Sequence, residues 1–211
     1  MTEVEVIEST EDLIAKRKKD MLEWWFPEHE VTHFCEHDHM SHMRWQKPGT
    51  CVYQVDYYVT GQRLMVTGDI GAAVYCWSSP VTFHWLAGLN LGYFAEKCMA
   101  SEVGRSFVEW DERIAKVYLD WQIKNDFEEI QDSYAEKATK WMEDLQNANP
   151  WRYIHSQYEW SEWLNDFGNE FFGDEYYEHH GIGNIVNMRC QGHLLGLHLA
   201  QEWRAKEAGN A

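Results

Sequence analysis

The sequence predicts an α+β fold, a small antiparallel β-meander packed against a predominantly α-helical remainder, and three patterns carry that prediction. Between Cys51 and Trp77, three short apolar runs are cut by glycine-containing turns. Between Arg105 and Gln146, and again from Asn187 to Lys206, apolar residues recur at three- and four-residue steps. The expected layout is one domain over 1–211, with an N-terminal helix over 10–25, a meander over about 31–77 and a helical part over about 82–207.

The first helix opens on Ser9-Thr10-Glu11-Asp12, a polar cap followed by acids in the first turn, and Leu13, Ile14, Met21, Leu22 and Trp25 form its stripe up to Pro27. Lys16-Arg17-Lys18-Lys19 is the one basic cluster of the sequence; a solvated helix face explains it, and a docking patch for an acidic partner is the alternative. Five of the eleven histidines then fall between His29 and His42. If Val31 to His39 is extended, the period of two places His33, Cys35, His37 and His39 on one face. Imidazole and thiolate groups so arranged can share a borderline metal such as zinc. The spacing matches no established zinc signature, so the competing reading is a solvated run of histidines and acids.

Lys47-Pro48-Gly49-Thr50 is a turn signal, and the strands expected after it are Cys51–Val59, Arg63–Thr67 and Ala72–Trp77, separated by Thr60-Gly61 and Gly68-Asp69. Asp69, flanked by Gly68 and Gly71, is together with the histidine run the best candidate for catalytic groups that converge in space, because glycines let a substrate approach the backbone; Gly-Asp is equally a routine turn dipeptide. Ser78-Ser79-Pro80 ends the sheet. A capped helix is expected over Asn90–Ala100, with Leu91, Phe94, Ala95 and Cys98 on one side. The stretch Arg105–Gln146 reads as two amphipathic helices or one long bent one, broken near Lys124-Asn125-Asp126.

Tyr153 to Met188 contains no lysine or arginine, while Glu159, Glu162, Asp166, Glu170, Asp174, Glu175 and Glu178 alternate with Tyr158, Trp160, Trp163, Phe167, Phe171, Phe172, Tyr176 and Tyr177. Negative charge beside large aromatics suits the cationic, stacking groove with which proteins hold nucleic acid. The partner-binding set on that reading is Glu159, Glu162, Trp163, Asp166, Glu170, Asp174, Glu175, Tyr176 and Tyr177. The alternative is plainer: aromatics in the core, acids on the surface. Gly181-Ile182-Gly183-Asn184 is a loop rather than a phosphate cradle, lacking the longer glycine pattern. The last helix carries a stripe of Cys190, Leu194, Leu197 and Trp203, with His193 nearby, and should pack onto the sheet.

Composition narrows the function classes. The 18 Lys and Arg against 35 Asp and Glu give a formal charge of −17, a field that repels nucleic acid and anionic lipid and attracts a basic partner. No apolar run approaches the roughly 20 residues of a bilayer crossing, and the acidic start MTEVEVIESTEDL lacks the pattern of a secretory leader, so a soluble, cytoplasmic protein is expected. Five scattered cysteines without a CxxC pair argue against a disulfide framework and for buried thiols. Twelve tryptophans must line a core, an interface, or both. No nucleophile elbow, Walker loop or HExxH helix is present in the sequence.

The order RWQKPGT, Arg63-Leu64-Met65-Val66-Thr67-Gly68-Asp69-Ile70-Gly71, NLGYFAEKC and Ala100-Ser101-Glu102-Val103-Gly104-Arg105 resembles uncharacterised accessory proteins of tailed phages and prophages. The resemblance covers mainly residues 43–110, with a looser likeness in RCQGHLLGLHLA. It implies an origin, a phage product acting in the bacterial host cytosol, and no activity, cofactor or catalytic residue. Three functions follow as expectations. The first is a non-enzymatic acidic inhibitor of a host nucleic-acid-handling defence complex, of the anti-CRISPR type, which mimics nucleic acid without contacting it. The second is a metal-dependent enzyme acting on a nucleotide or nucleic acid through the His-rich segment 29–42. The third is a phage interaction protein of another kind, such as one redirecting host transcription.

Overall fold

Alternating side chains and tight glycine turns make consecutive strands pair as neighbours, and the computed structural model, which describes residues 9–102 and 107–210, has that arrangement. In chain order, helix α1 (Thr10–Asp20) continues through a π turn at Met21–Trp25 into strands β1 (Glu30–His37), β2 (Met40–Gln46), β3 (Val55–Thr60), β4 (Arg63–Gly68) and β5 (Ala73–Cys76). Short helices α2 (Phe83–Ala87) and α3 (Leu91–Glu96) lead to β6 (Cys98–Ser101). Then come β7 (Val108–Trp110), α4 (Glu112–Ser133), α5 (Ala135–Ala148), α6 (Gln157–Trp163), α7 (Asn169–Phe172), β8 (Asn184–Val186) and α8 (Met188–Asn210). Strands β1 to β6 form one antiparallel sheet in sequence order, and β7 pairs with β8. The fold is α+β, a six-stranded meander with a mostly helical remainder.

Several elements differ from expectation for identifiable reasons. The sheet is larger: β2 precedes the Pro48-Gly49 turn, with Met43 and Trp45 facing the core and His42 and Arg44 facing out. Strand β3 starts only at Val55, because Gln54 N–H closes a turn onto the Cys51 carbonyl (3.1 Å) and Tyr53 has a φ of 56°. The helix expected through Ala100 stops at Glu96; Cys98 pairs with Tyr75, and Cys76 N–H donates to the Lys97 carbonyl (2.9 Å), so the open edge of β5 outcompetes helix propagation. The long helical stretch breaks at Tyr134, whose φ of −156° is extended, rather than at Lys124-Asn125-Asp126. Its expected start at Arg105 falls among residues 103–106, outside those described, and β7 occupies the positions just after. The five cysteines are free thiols, but only Cys190 is fully buried.

The chain forms two compact units. One comprises Ile14–Val108 and Val186–Ala211, the other Met1–Leu13 and Glu109–Ile185. In the first, Met43, Tyr57 and Val66 form a cross-strand row on the inner face of the sheet, and α8 packs on that face. Helix and sheet approach closely because α8 carries Gly192 and Gly196. A Cβ at Gly196 would stand 2.5 Å from the Tyr57 hydroxyl, and one at Gly192 2.8 Å from the Trp25 ring. Tyr57 donates its hydroxyl to the His193 carbonyl (2.9 Å), and the Tyr75 hydroxyl meets His193 Nδ1 (2.9 Å). In the second unit, Leu119 and Ile123 of α4 and Leu145 of α5 share a core with Trp160, Trp163, Leu164 and Phe171. Among the described residues, no helix is long and apolar enough to cross a membrane.

Two outcomes follow from the α8 interface. Gly196→Ala drives a methyl into the Tyr57 hydroxyl and should cost about 1–3 kcal/mol by chemical denaturation. Burial pushes the His193 pKa down to about 4, so the folded state keeps a neutral imidazole while the unfolded chain takes up a proton near the ordinary value of about 6.5. Stability is therefore full above that ordinary value and falls as pH drops toward about 4, by about 3 kcal/mol from this group. Burial lowers His29 and His179 as well, in the same direction. Urea midpoints measured at pH 7, 5.5 and 4.5 should decline, and His193→Gln, though less stable at neutral pH, should flatten the decline.

Candidate functional site

The acidic, aromatic segment folds as one interrupted helix. Ser156 caps α6 by accepting from Glu159 N–H (3.2 Å), and a π turn over Leu164–Gly168 links α6 to α7. Glu159, Glu162, Asp166 and Glu170 are spaced by three, four and four residues, so they share one side of that helix, and all four are solvent-exposed. Trp160, Trp163, Leu164 and Phe171 lie on the other side and are buried. After Gly173 (φ 70°) a 3₁₀ stretch, Gly173–Gly181, carries the exposed Asp174, Glu175 and Glu178.

The expected place of Trp163 at a stacking interface is corrected here. Trp163 is 1% exposed, with its ring stacked on Trp160 (centroids 5.2 Å, planes at 11°) and on Phe171 (5.8 Å, 18°), and its indole N–H donates to the Ala148 carbonyl (3.0 Å). It holds the core together and cannot stack on a partner. Tyr176 is half-buried, its ring lying where a Cβ on Gly168 would be, at 2.6 Å. Tyr158 and Tyr177 are the rings left in solvent, at 70% and 59% exposure.

The carboxylates behave as expected of a charged surface. Among the described residues, none of Glu159, Glu162, Asp166, Glu170, Asp174, Glu175 and Glu178 makes an ion pair. Glu162 accepts from the Tyr158 hydroxyl (2.6 Å), and Glu159 pairs with its own cap, Ser156 (3.2 Å). Residues 109–185 hold 18 of the 35 acids and 6 of the 18 bases, a formal −12 of the −17. A groove of about 330 Å³ is lined by Tyr153, Glu162, Trp163, Asn165, Asp166 and Phe167.

The histidine segment is rearranged relative to expectation. Strand β1 ends at His37, and the chain reverses at Asp38-His39 instead of continuing extended. The donor group the structure assembles is His33, Cys35 and His42, whose ligand atoms all lie within 4.8 Å of one another; His37 and His39 are outside it. His42 arrives because it faces Cys35 across the β1–β2 ladder, a neighbour that period-two spacing along one strand cannot reveal. Its ring is stacked on Tyr58 (4.3 Å, 10°) and lies 4.7 Å from that of His33. His42 Nε2 donates to Asp56 Oδ1 (2.7 Å), which also accepts from Arg44 Nε (2.8 Å), while Asp56 Oδ2 accepts from Gln54 Nε2 (2.6 Å). Burial opposes ionisation of Asp56, but the hydrogen bonds from Arg44, His42 and Gln54 outweigh it and hold its pKa below the ordinary value.

Asp69 takes a structural part. Its carboxylate accepts from Tyr53 N–H (2.8 Å) and its own N–H donates to the Gln54 carbonyl (2.9 Å), so it pins the Cys51–Gln54 turn to the end of β4. The neighbouring glycine answers to the same closeness: a Cβ on Gly68, at φ 133°, would sit 2.2 Å from the Gln54 carbonyl oxygen.

These assignments separate by mutation. Trp163→Ala should cost about 3–5 kcal/mol of stability, whereas Tyr177→Ala, at an exposed ring, should stay within about 0.5 kcal/mol; thermal and urea denaturation of both variants make the comparison. Comparison of the chain with family models, with curated proteins and with solved structures gives no match.

Proposed function

We propose that this protein is a phage-encoded, non-enzymatic acidic inhibitor, of the anti-CRISPR type, that acts in the bacterial host cytosol by occupying the nucleic-acid-binding groove of a host defence complex. The observation that carries the reading is the line of four exposed carboxylates on the α6–α7 helix, joined by three more on the following turn, with no cation neutralising them among the described residues. Charges left unpaired on one side of a helix add to a common field instead of cancelling, and they attract a basic surface. Spaced about one helical turn apart, roughly 5.4 Å, they form a sparser line of charge than a nucleic-acid strand, about 3.4 Å per phosphate. Such a face suits a groove lined by separate Arg and Lys side chains.

The groove lined by Glu162 and Asp166 has the chemistry to receive one such side chain, because two carboxylates are among its lining residues. Recognition then rests on charge rather than on base-like stacking, since Trp163 is in the core. The resemblance to phage accessory proteins supplies the setting, and the formal −17 disfavours direct nucleic-acid binding.

Purified protein should capture a nuclease complex from a bacterial lysate and block its cleavage of DNA or RNA. The affinity should weaken roughly tenfold or more between low and high salt. The variant Glu159→Lys, Glu162→Lys, Asp166→Lys, Glu170→Lys, exposed at every position, should keep its circular dichroism spectrum and lose both binding and inhibition. Unchanged affinity in that variant would remove the proposal, and capture of RNA polymerase in place of a nuclease would favour redirection of host transcription.

A further inference from the structure

We propose that His33, Cys35 and His42 form a three-ligand site for a divalent transition metal of the zinc class, on the outer face of the sheet at its β1 edge. This inference is independent of the acidic helix face. The donor set is one thiolate and two imidazoles, the ligand types that zinc and its neighbours prefer over calcium or magnesium. Bonds of about 2.0–2.3 Å to a tetrahedral ion put its ligand atoms about 3.5 Å apart, and the three donors already lie within 4.8 Å. The remaining closure is a side-chain adjustment. His33 is exposed, so its ring is free to turn toward Cys35 and His42.

The surroundings do what a support for a metal-bound histidine requires. A ligating imidazole holds its orientation when its second nitrogen donates to a carboxylate. His42 has that partner in Asp56, 4% exposed, with Nε2 to Oδ1 at 2.7 Å, which leaves Nδ1 for the ion. Tyr58 stacks on the same ring, and Arg44 and Gln54 fix Asp56 in turn. Asp56 is thereby fully engaged and does not serve as a general base, so the site is assigned binding and no reaction. A tetrahedral ion held by three protein ligands keeps a fourth position for water or a ligand from a partner.

The location gives the ion a structural consequence. Its ligands come from β1 and β2 on either side of the Asp38-His39 reversal, and β1 is the terminal strand of the sheet. An ion bridging the two strands ties the outermost one to its neighbour, and because it binds the folded hairpin it raises stability with concentration.

Cobalt(II) titration of reduced, chelator-treated protein is the test. One equivalent should produce a thiolate-to-cobalt charge-transfer band with tetrahedral-type visible absorption, and zinc should abolish both at one equivalent while raising the melting temperature. Cys35→Ser should remove the charge-transfer band. His33→Gln, at an exposed position that leaves the fold intact, should weaken cobalt binding at least about tenfold, and Asp56→Asn about 10–100-fold. His37→Gln and His39→Gln should leave the affinity within about twofold of the parent. Absence of the sulfur band at one equivalent overturns the site, as does a loss of affinity in His37→Gln or His39→Gln equal to that in His33→Gln.

Discussion

The close seating of α8 on the sheet is the constraint on which the larger unit depends. Two glycines four residues apart on the helix let Tyr57 and Trp25 approach its backbone, and the space left by their missing side chains is filled by those rings. Polar groups drawn into that contact must then be satisfied internally. Tyr57 bonds the His193 carbonyl and Tyr75 bonds the His193 ring. A buried neutral histidine is thus part of what binds helix to sheet, and it ties that contact to pH.

The second unit concentrates most of the formal charge while keeping an apolar interior. The same fifteen or so residues around α6 provide both, because helical spacing sends Trp160, Trp163 and Phe171 inward and Glu159, Glu162, Asp166 and Glu170 outward. Indole N–H groups that enter the core find backbone carbonyls, Trp160 at His179 (2.7 Å) and Trp110 at Ile154 (2.7 Å), so the rings are buried without stranding their donors. What remains outside on α6, α7 and the turn after them is a surface of carboxylates with Tyr158 and Tyr177 as its exposed rings. Its recognition chemistry is therefore electrostatic.

The outer face of the sheet shows how register creates chemistry. The ladder sets Cys35 opposite His42 and His42 opposite Tyr58, while Arg44 faces Asp56. A thiol, two imidazoles, a ring to support one of them and a charged pair to hold it are brought together by three adjacent strands. Each strand alone carries only part of that group.

The sequence by itself determined the fold class, the N-terminal helix, the glycine-marked strands β4 and β5, and the helical character of the later chain, because each depends on local periodicity and turn chemistry. It also located the acidic segment, since the absence of lysine and arginine there is visible in one dimension. Tertiary structure alone decided the direction in which the rings of that segment point: helical phase separates the two sides, but only packing chooses which side is covered. It likewise decided that Cys98 belongs to a strand, because an open sheet edge nearby outweighs helix propensity, and that His42 rather than His37 or His39 joins Cys35, because cross-strand neighbours are set by where the chain turns back.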